Sequence, residues 1–551
     1  KQSFFTRLSL RWAAWQNHWR IKRISNQVRM HAARSSNKPK IVIFNASSRL
    51  SGLSQNAAFT ILTGWGLRLA GAQVIYFACQ AGMKPCVLGT SRDDYTRQPP
   101  CEKCIAQTKR LTKAFITQWF RYQPDSPLEQ ALENLTIGEL SEFQYSGLEI
   151  NAREDIPLGQ LVLPALRWAL RRYHLPNDDA TRYLFRQYIL SAYNVARNFA
   201  QLLEKEQPQV CLIFNGIMYP EATARWVAIH RGMRVVTQEV GFQPFSAFFT
   251  NGDATAYPIS IPKTFELDER QNARLDAYLE KRFKGKFTMA GIQFWPQIQG
   301  LSEEFNQRAA QFKQIVPIFT NVVYDTSQVH ANVLFRHMFH WLDHNLEIIR
   351  AHPETLFVIR AHPDEMRPGT AKQSRESVHD WVFANGVNKL SNVIFIDSQE
   401  YISSYELISR SKFLMVYNSS IGLEAALLGV LVLCAGKARY TQYPTVLFPK
   451  SIEDYDELAQ ALLEVEKIEF PETFRRNARR FLYYQLYRVS LPFGKYLEVG
   501  PRPGFVQLKD FSWKALLPEY SPTMRTIIKG MFEDEAFQID ENEEWQVYGS
   551  D

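Results

Sequence analysis

No apolar run in this 551-residue chain reaches the roughly 18 residues that a membrane-spanning helix requires, so no helical span is expected. No secretory leader is visible either, although the first residue is Lys1. Cysteine is scarce. The six in the chain, together with the missing leader, argue for a reducing, cytoplasmic setting. The first strand-like segment is not followed by G-x-G-x-x-G, so a dinucleotide fingerprint is not supported. Basic-aromatic signatures of nucleic-acid modules are absent too. The formal charge of +8 therefore suits phosphate-bearing or anionic-lipid partners without pointing to nucleic acid. What remains is an ordinary globular balance, 46% hydrophobic and 22% charged, at a length that implies two or more domains.

Apolar strand-like runs alternate with amphipathic stretches in two regions. The first opens with Lys40-Ile-Val-Ile-Phe-Asn45, a Ser/Gly-rich loop over 46–54, a helix through 62–69 and a strand over 71–78. Strands at 209–215 and 233–237 follow a mostly helical insertion over 105–205. The second region starts at 314–321 and continues with strands at 355–360, 392–396, 413–417 and 430–434, with helices between them. This alternation predicts an α/β fold of two doubly wound, Rossmann-like domains, each a parallel sheet with helices on both faces. The layout is a basic helix over 1–38, a first domain over 39–255, a connection over 256–312, a second domain over 313–470, and a return helix with an acidic tail over 471–551.

Three clusters stand outside that frame. Leu8, Trp12, Trp15 and Trp19 share one helical face, amid Lys1, Arg7, Arg11, Arg20, Lys22, Arg23 and Arg29. Such a helix suits a membrane interface, or it packs on its own domain or a partner subunit. Cys79, Cys86, Cys101 and Cys104 fall within 26 residues, and Cys101-Glu-Lys-Cys104 resembles half of a metal knuckle. Structural zinc is one expectation there, an iron–sulfur cluster or free thiols the alternatives. Arg475, Arg476, Arg479 and Arg480 form a basic patch that suits an anionic acceptor or lipid phosphate, or merely a solvated helix face. His340, His344 and His352 read as surface or packing residues.

The candidate site lies on strand tips. Val358-Ile-Arg360-Ala-His362-Pro363-Asp-Glu365 ends a buried strand in polar residues, and Phe413-Leu-Met-Val-Tyr-Asn-Ser419-Ser420-Ile-Gly422-Leu-Glu424 ends a second one the same way. Ser419 and Ser420 stand where a helix N-cap belongs, and Gly422 opens the helix. The carboxyl ends of adjacent parallel strands bind ligands, and a helix start favours anions. The expectation is a nucleotide or phosphate site on two neighbouring tips. Asn215, Gly216 and Glu239 occupy the edge of the first domain that faces a cleft, and Asp325 ends the second domain's first strand.

Two doubly wound domains flanking a cleft match the B-type glycosyltransferase (GT-B) architecture. His362-Pro363 and Ser419-Ser420, in this order, look like the HP and S motifs of bacterial CMP-sugar-using transferases. The wider pattern of Glu239-Val-Gly-Phe, Asn321-Val-Val-Tyr-Asp325, Arg360-Ala-His-Pro and Ser419-Ser-Ile-Gly-Leu-Glu-Ala resembles capsule polysaccharide biosynthesis proteins, which include Kdo transferases. The resemblance covers roughly 205–445 and leaves out the cysteines and the first helix. It implies that His362 and Pro363 contact the donor's phosphate or cytidine, that Ser419 and Ser420 bind the phosphate, and that Glu424 meets ribose hydroxyls. It implies a nucleotide-sugar donor and a glycan or glycolipid acceptor, with a membrane surface or polysaccharide assembly proteins as further partners. Arg360 and His362 would supply positive potential without a catalytic metal. No Asp-x-Asp stands in the context of an A-type metal site. One departure is plain. The family's catalytic carboxylate directly precedes the glycine, where this chain has Val240, so the base is expected to be Glu239 or Asp325. Rival expectations are a sugar-nucleotide epimerase of the same fold, a CDP-polyol phosphotransferase, and a non-catalytic assembly protein.

Overall fold

The computed structural model describes residues 4–32, 39–46, 52–146, 155–284, 288–289, 292–293, 299–366, 373–502 and 504–548. Part of the Ser/Gly-rich loop, 47–51, lies outside the described residues. The first sheet holds Lys40–Phe44 (β1), Gln73–Cys79 (β2), Ile116–Phe120 (β3), Val210–Phe214 (β4), Arg234–Val240 (β5) and Ser246–Thr250 (β6). The second holds Gln314–Phe319 (β7), Thr355–Arg360 (β8), Val393–Ile396 (β9), Leu414–Val416 (β10) and Val432–Cys434 (β11). Far along the chain, Leu491–Pro492 (β12) returns to the first sheet and pairs antiparallel with β6.

Both-sided burial explains the continuous apolar runs. In β1, Ile41 and Ile43 enter one core while Val42 and Phe44 enter the other. In β8, Leu356 and Val358 face one layer and Phe357 and Ile359 the opposite one. The first sheet runs β12-β6-β5-β4-β1-β2-β3 and the second β9-β8-β7-β10-β11. The parallel part of each therefore has the doubly wound order 3-2-1-4-5. The order reverses between β1 and β4, and again between β7 and β10. Crevices open at these points. One expectation changes here: β7 stands between β8 and β10, so the His362 and Ser419 tips are not neighbours.

Two strands escape the sequence pattern. Ile116–Phe120 is a sheet edge with Ile116 51% exposed, so its apolar content is diluted. Ser246–Thr250 is antiparallel to β5 and lies outside the βα alternation.

Helices Phe4–His31 (α1), Gln55–Leu69 (α2) and Cys101–Leu111 (α3) share one core of the first domain, where Ile24, Val28, Trp65 and Leu111 are buried. Leu158–Leu170 (α4), Asp179–Glu206 (α5) and Glu221–His230 (α6) cover the opposite face. Thr136, Asp178 and Asp268 accept backbone N–H bonds at helix starts, as short polar residues do there. Glu269–Phe283 (α7) belongs to the connection, Met338–Ala351 (α8) and Ile421–Leu427 (α9) to the second domain. Glu472–Tyr487 (α10) packs on the second domain's core, and the chain over 491–539 packs on the first.

Three of the four arginines of the basic patch on α10 are engaged by protein groups beyond their own helix, while Arg475 pairs with Glu472 on the same helix at 3.8 Å. Arg479 pairs with Asp276 at 2.7 Å, Arg480 donates to Phe265 O at 2.7 Å, and Arg476 pairs with Glu266. These arginines fasten α10 to the connection.

Phe357 is fully buried in a central strand, so Phe357→Ala is expected to cost about 3–5 kcal/mol in denaturant unfolding. Ile116→Ala at the exposed edge is expected to stay within about 0.5 kcal/mol.

Candidate active-site cleft

Both crevices open onto one cleft of about 1140 Å³, lined by the two domains together. The first contributes Asn56, Asn215, Glu221 and Glu239, the connection Tyr257, and the second Asp325, His362, Ser419, Ser420 and Arg439.

Glu239 sits near the end of β5, beside the tip of β4. Asn215 ends β4 with φ 60° and Gly216 follows at φ 82°, a consecutive left-handed pair that short polar and glycine residues tolerate. Asn215 Oδ1 accepts from Ile217 N and Met218 N at 3.1 and 3.3 Å, which closes the turn. Its Nδ2 donates to Glu239 Oε2 at 2.6 Å. Glu239 Oε1 accepts from Val240 N at 2.8 Å and Asn56 Nδ2 at 3.4 Å. Burial raises the pKa of this carboxyl above the ordinary value. The three bonds offset part of the rise, and the negative charge of Asp325 adds to it. The result is an oriented carboxylate with more proton affinity than an exposed one. Asp325 differs. It is exposed, and its Oδ2 accepts from Ser327 Oγ at 2.8 Å.

Gly216 does not line the cleft. A Cβ there would stand 2.9 Å from Arg225 Cδ, so its smallness serves the turn and its packing.

Glu221, at the start of α6, has no precedent in the sequence reading. It is 3% exposed and its Oε1 accepts from Ala46 N at 2.8 Å, which ties the tips of β1 and β4. Burial pushes its pKa up to about 7.

On the second domain, Asn321 Nδ2 donates to Asn418 Oδ1 at 2.7 Å, and Gln328 Nε2 reaches the same oxygen at 3.0 Å. These bonds join the tips of β7 and β10. Ser420 has helical φ and makes no side-chain capping bond, so the expected N-cap role does not hold. The hydroxyls of Ser419 and Ser420 engage no partner among the described residues, and both residues line the cleft. Tyr440 Oη donates to Ser419 O at 2.7 Å, and a Cβ on Gly422 would fall 2.3 Å from that oxygen. Gly422 is thus required by Tyr440, which fixes the Ser419 backbone. It does not line the cleft itself. His362 does line it, and its Nδ1 accepts from Asp364 N at 3.1 Å; Pro363 does not.

Two donor-side expectations change. Arg360 is 2% exposed and donates to Asp397 O at 2.5 Å and Glu400 O at 2.7 Å, so it braces the loop after β9 instead of facing the cleft. Glu424 accepts from Arg282 and from Tyr405 Oη, each at 2.5 Å, and ties α9 to the connection. Its oxygens are committed there and do not face ribose hydroxyls.

The cation that sequence reading missed is Arg439. It lies beyond β11, stacked 4.5 Å over the Phe242 ring from the other domain. Burial pulls its pKa below the ordinary guanidinium value, and its Nε has no hydrogen-bond partner among the described residues. Lys437 lines the cleft beside it. The signal was present as Lys437-Ala-Arg439 just after a strand.

Cys79, Cys86, Cys101 and Cys104 also line the cleft, with Met83, Leu88 and Ile105. None of them forms a disulfide, and among the described residues no three His, Cys, Asp or Glu side chains stand as a metal-holding group. Burial pushes Cys79 and Cys86 up to about 12, which favours the neutral thiol over the thiolate that zinc takes. The zinc expectation is not supported.

Comparison with known proteins adds to this geometry. Residues 279–443 match the family model described as capsule polysaccharide biosynthesis protein. No curated protein matches the chain by sequence. Among solved structures, it is similar to the KpsC beta Kdo 2,4 transferase of Thermosulfurimonas dismutans, with 14% identity and a TM-score of 0.33 over 55% of this chain and 85% of that one. The beta Kdo 2,7 transferase of the same protein gives 15% identity and a TM-score of 0.32 over 61% and 90%. The UDP-GlcNAc 2-epimerase of Neisseria meningitidis gives 13% and 0.23 over 81% and 99%. At such scores these neighbours fix neither substrate nor mechanism. From the connection through the Ser419 tip, this chain resembles the capsule polysaccharide biosynthesis proteins.

Proposed function

We propose that this protein is a glycosyltransferase of surface-polysaccharide assembly that takes its sugar from a nucleotide donor, with CMP-sugar favoured. One observation carries the proposal. A single cleft brings a buried, pre-oriented carboxylate on one domain, Glu239, opposite unengaged hydroxyls and a partly uncompensated cation on the other, Ser419, Ser420 and Arg439. The match of 279–443 to the capsule family supports the same reading.

In the proposed reaction Glu239 takes the proton of the acceptor hydroxyl as its oxygen attacks the anomeric carbon. The bond from that carbon to the donor phosphate breaks, and the nucleotide leaves with the electron pair. Arg439, Lys437 and His362 meet the growing charge on the phosphate, and the Ser419 and Ser420 hydroxyls donate to it. Asn215 is the positioning residue for the base. The proposed setting is the cytoplasm, a reading supported by six free thiols. The cleft also takes in Cys79, Cys86, Cys101 and Cys104, and its volume of about 1140 Å³ leaves room for an acceptor beside the donor, which supports transfer over epimerisation. A CDP-polyol phosphotransferase would share the phosphate contacts, so nucleotide preference separates the two.

With CMP, CDP, UDP and GDP in a thermal-shift series, CMP is expected to raise the melting temperature most. Saturation at a hundredfold excess over Kd corresponds to about 2.7 kcal/mol. Ser419→Ala with Arg439→Ala should erase the rise. A chain indifferent to all four nucleotides has no donor site here. Glu239→Gln is expected to slow transfer by about 10²–10⁴-fold while nucleotide binding persists. Asp325→Asn should cost less than about tenfold, and the reverse ranking would assign the base to Asp325.

The base must be ionised, so the rate should fall as pH drops through the raised pKa of Glu239. The Asn215 bond lowers that pKa, so Asn215→Ala should move the acid limb to higher pH. A pH–rate profile reads this directly.

A further inference from the structure

The helix Phe4–His31 has two apolar faces. On one, Ile21, Ile24 and Val28 are at most 2% exposed and belong to the first domain's core. That face is pinned. Asn17 Oδ1 accepts from Leu508 N at 3.0 Å, Arg20 pairs with Glu498 at 2.9 Å, and His31 stacks on Trp513 at 4.0 Å. The opposite face carries Leu8, Trp12, Trp15 and Trp19, which a 100° step per residue gathers into an arc of about 60°. They are 51%, 60%, 58% and 50% exposed. The packed reading of this helix holds for the first face, and the second is left exposed.

Charge decides what the outer face meets. The helix contains no Asp or Glu. Arg20 and Arg23 are used against Glu498 and Asp510. Arg11, Lys22 and Arg29 are exposed and make no ion pair among the described residues; all three flank one side of the Trp stripe. An apolar Trp stripe edged by cations lies flat in the boundary between headgroups and acyl chains, where indole rings are both wet and apolar. No described helix is long and apolar enough to cross a membrane, so the contact is shallow.

We infer that the outer face of α1 docks this protein on an anionic lipid bilayer, through Trp12, Trp15 and Trp19 inserted and Arg11, Lys22 and Arg29 against the headgroups. This is independent of the transfer reaction and of the donor site.

The test is vesicle co-sedimentation of the full chain, with phosphatidylcholine alone or with about 30% phosphatidylglycerol. The chain should sediment with the anionic vesicles and far less with the neutral ones, and salt near 1 M should release a large part of it. Trp12→Glu, Trp15→Glu and Trp19→Glu together should lower binding by ~10-fold or more, with the melting temperature kept because these side chains are outside the core. Arg11→Glu, Lys22→Glu and Arg29→Glu should abolish the preference for phosphatidylglycerol. Equal binding by the Trp variant overturns the inference. So does a chain that ignores vesicles but forms a dimer which the Trp variant dissolves, since the face would then join two copies.

Discussion

The bond from Asn215 to Glu239 is the contact on which the geometry of the first domain's side of the cleft depends. It links the tips of two parallel strands, β4 and β5, and converts a turn into an orientation for a carboxylate. The left-handed pair at Asn215 and Gly216 forms the turn from which that bond is made. Without it, the buried carboxyl would have one fewer donor and a stronger preference for its neutral form. On the facing domain, Tyr440 plays the corresponding role for Ser419, donating to its backbone carbonyl where the residue lines the cleft.

Much of this was legible along the chain. The apolar runs of β1 and β8 are continuous because both faces are buried, and such runs are easy to recognise. His362, Ser419 and Ser420 follow strands directly, so topology alone carries them to the cleft. The strands at 116–120 and 246–250 were not legible. One is a diluted edge, and the other breaks the parallel alternation.

Side-chain assignments failed where distant segments intervene. Arg360 and Glu424 have the right chemistry at the right tips, yet carbonyls at 397 and 400 claim the first and Arg282 with Tyr405 the second. Sequence adjacency to a strand tip says where a residue begins, not which way its charge is satisfied. Arg439 shows the converse. Its partner ring, Phe242, is nearly two hundred positions away, so only the assembled cleft reveals that this guanidinium is buried with its Nε unbonded among the described residues.

The chain crosses between the domains twice. The outward crossing, near 257–261, is zipped to the second domain by Gln442 and Tyr443, with Ile259 N and Ile261 N donating at 2.9 and 2.7 Å. The return crossing, just after α10, is held where Arg488 donates to Ile539 O at 2.8 Å and Phe242 N donates to Ser490 Oγ at 2.8 Å. The domains are also tied away from both crossings, where Arg375 pairs with Asp93 at 2.6 Å and Glu376 accepts from Tyr173 N at 2.8 Å. Bonds at three separate places therefore hold the facing walls of the cleft in one register.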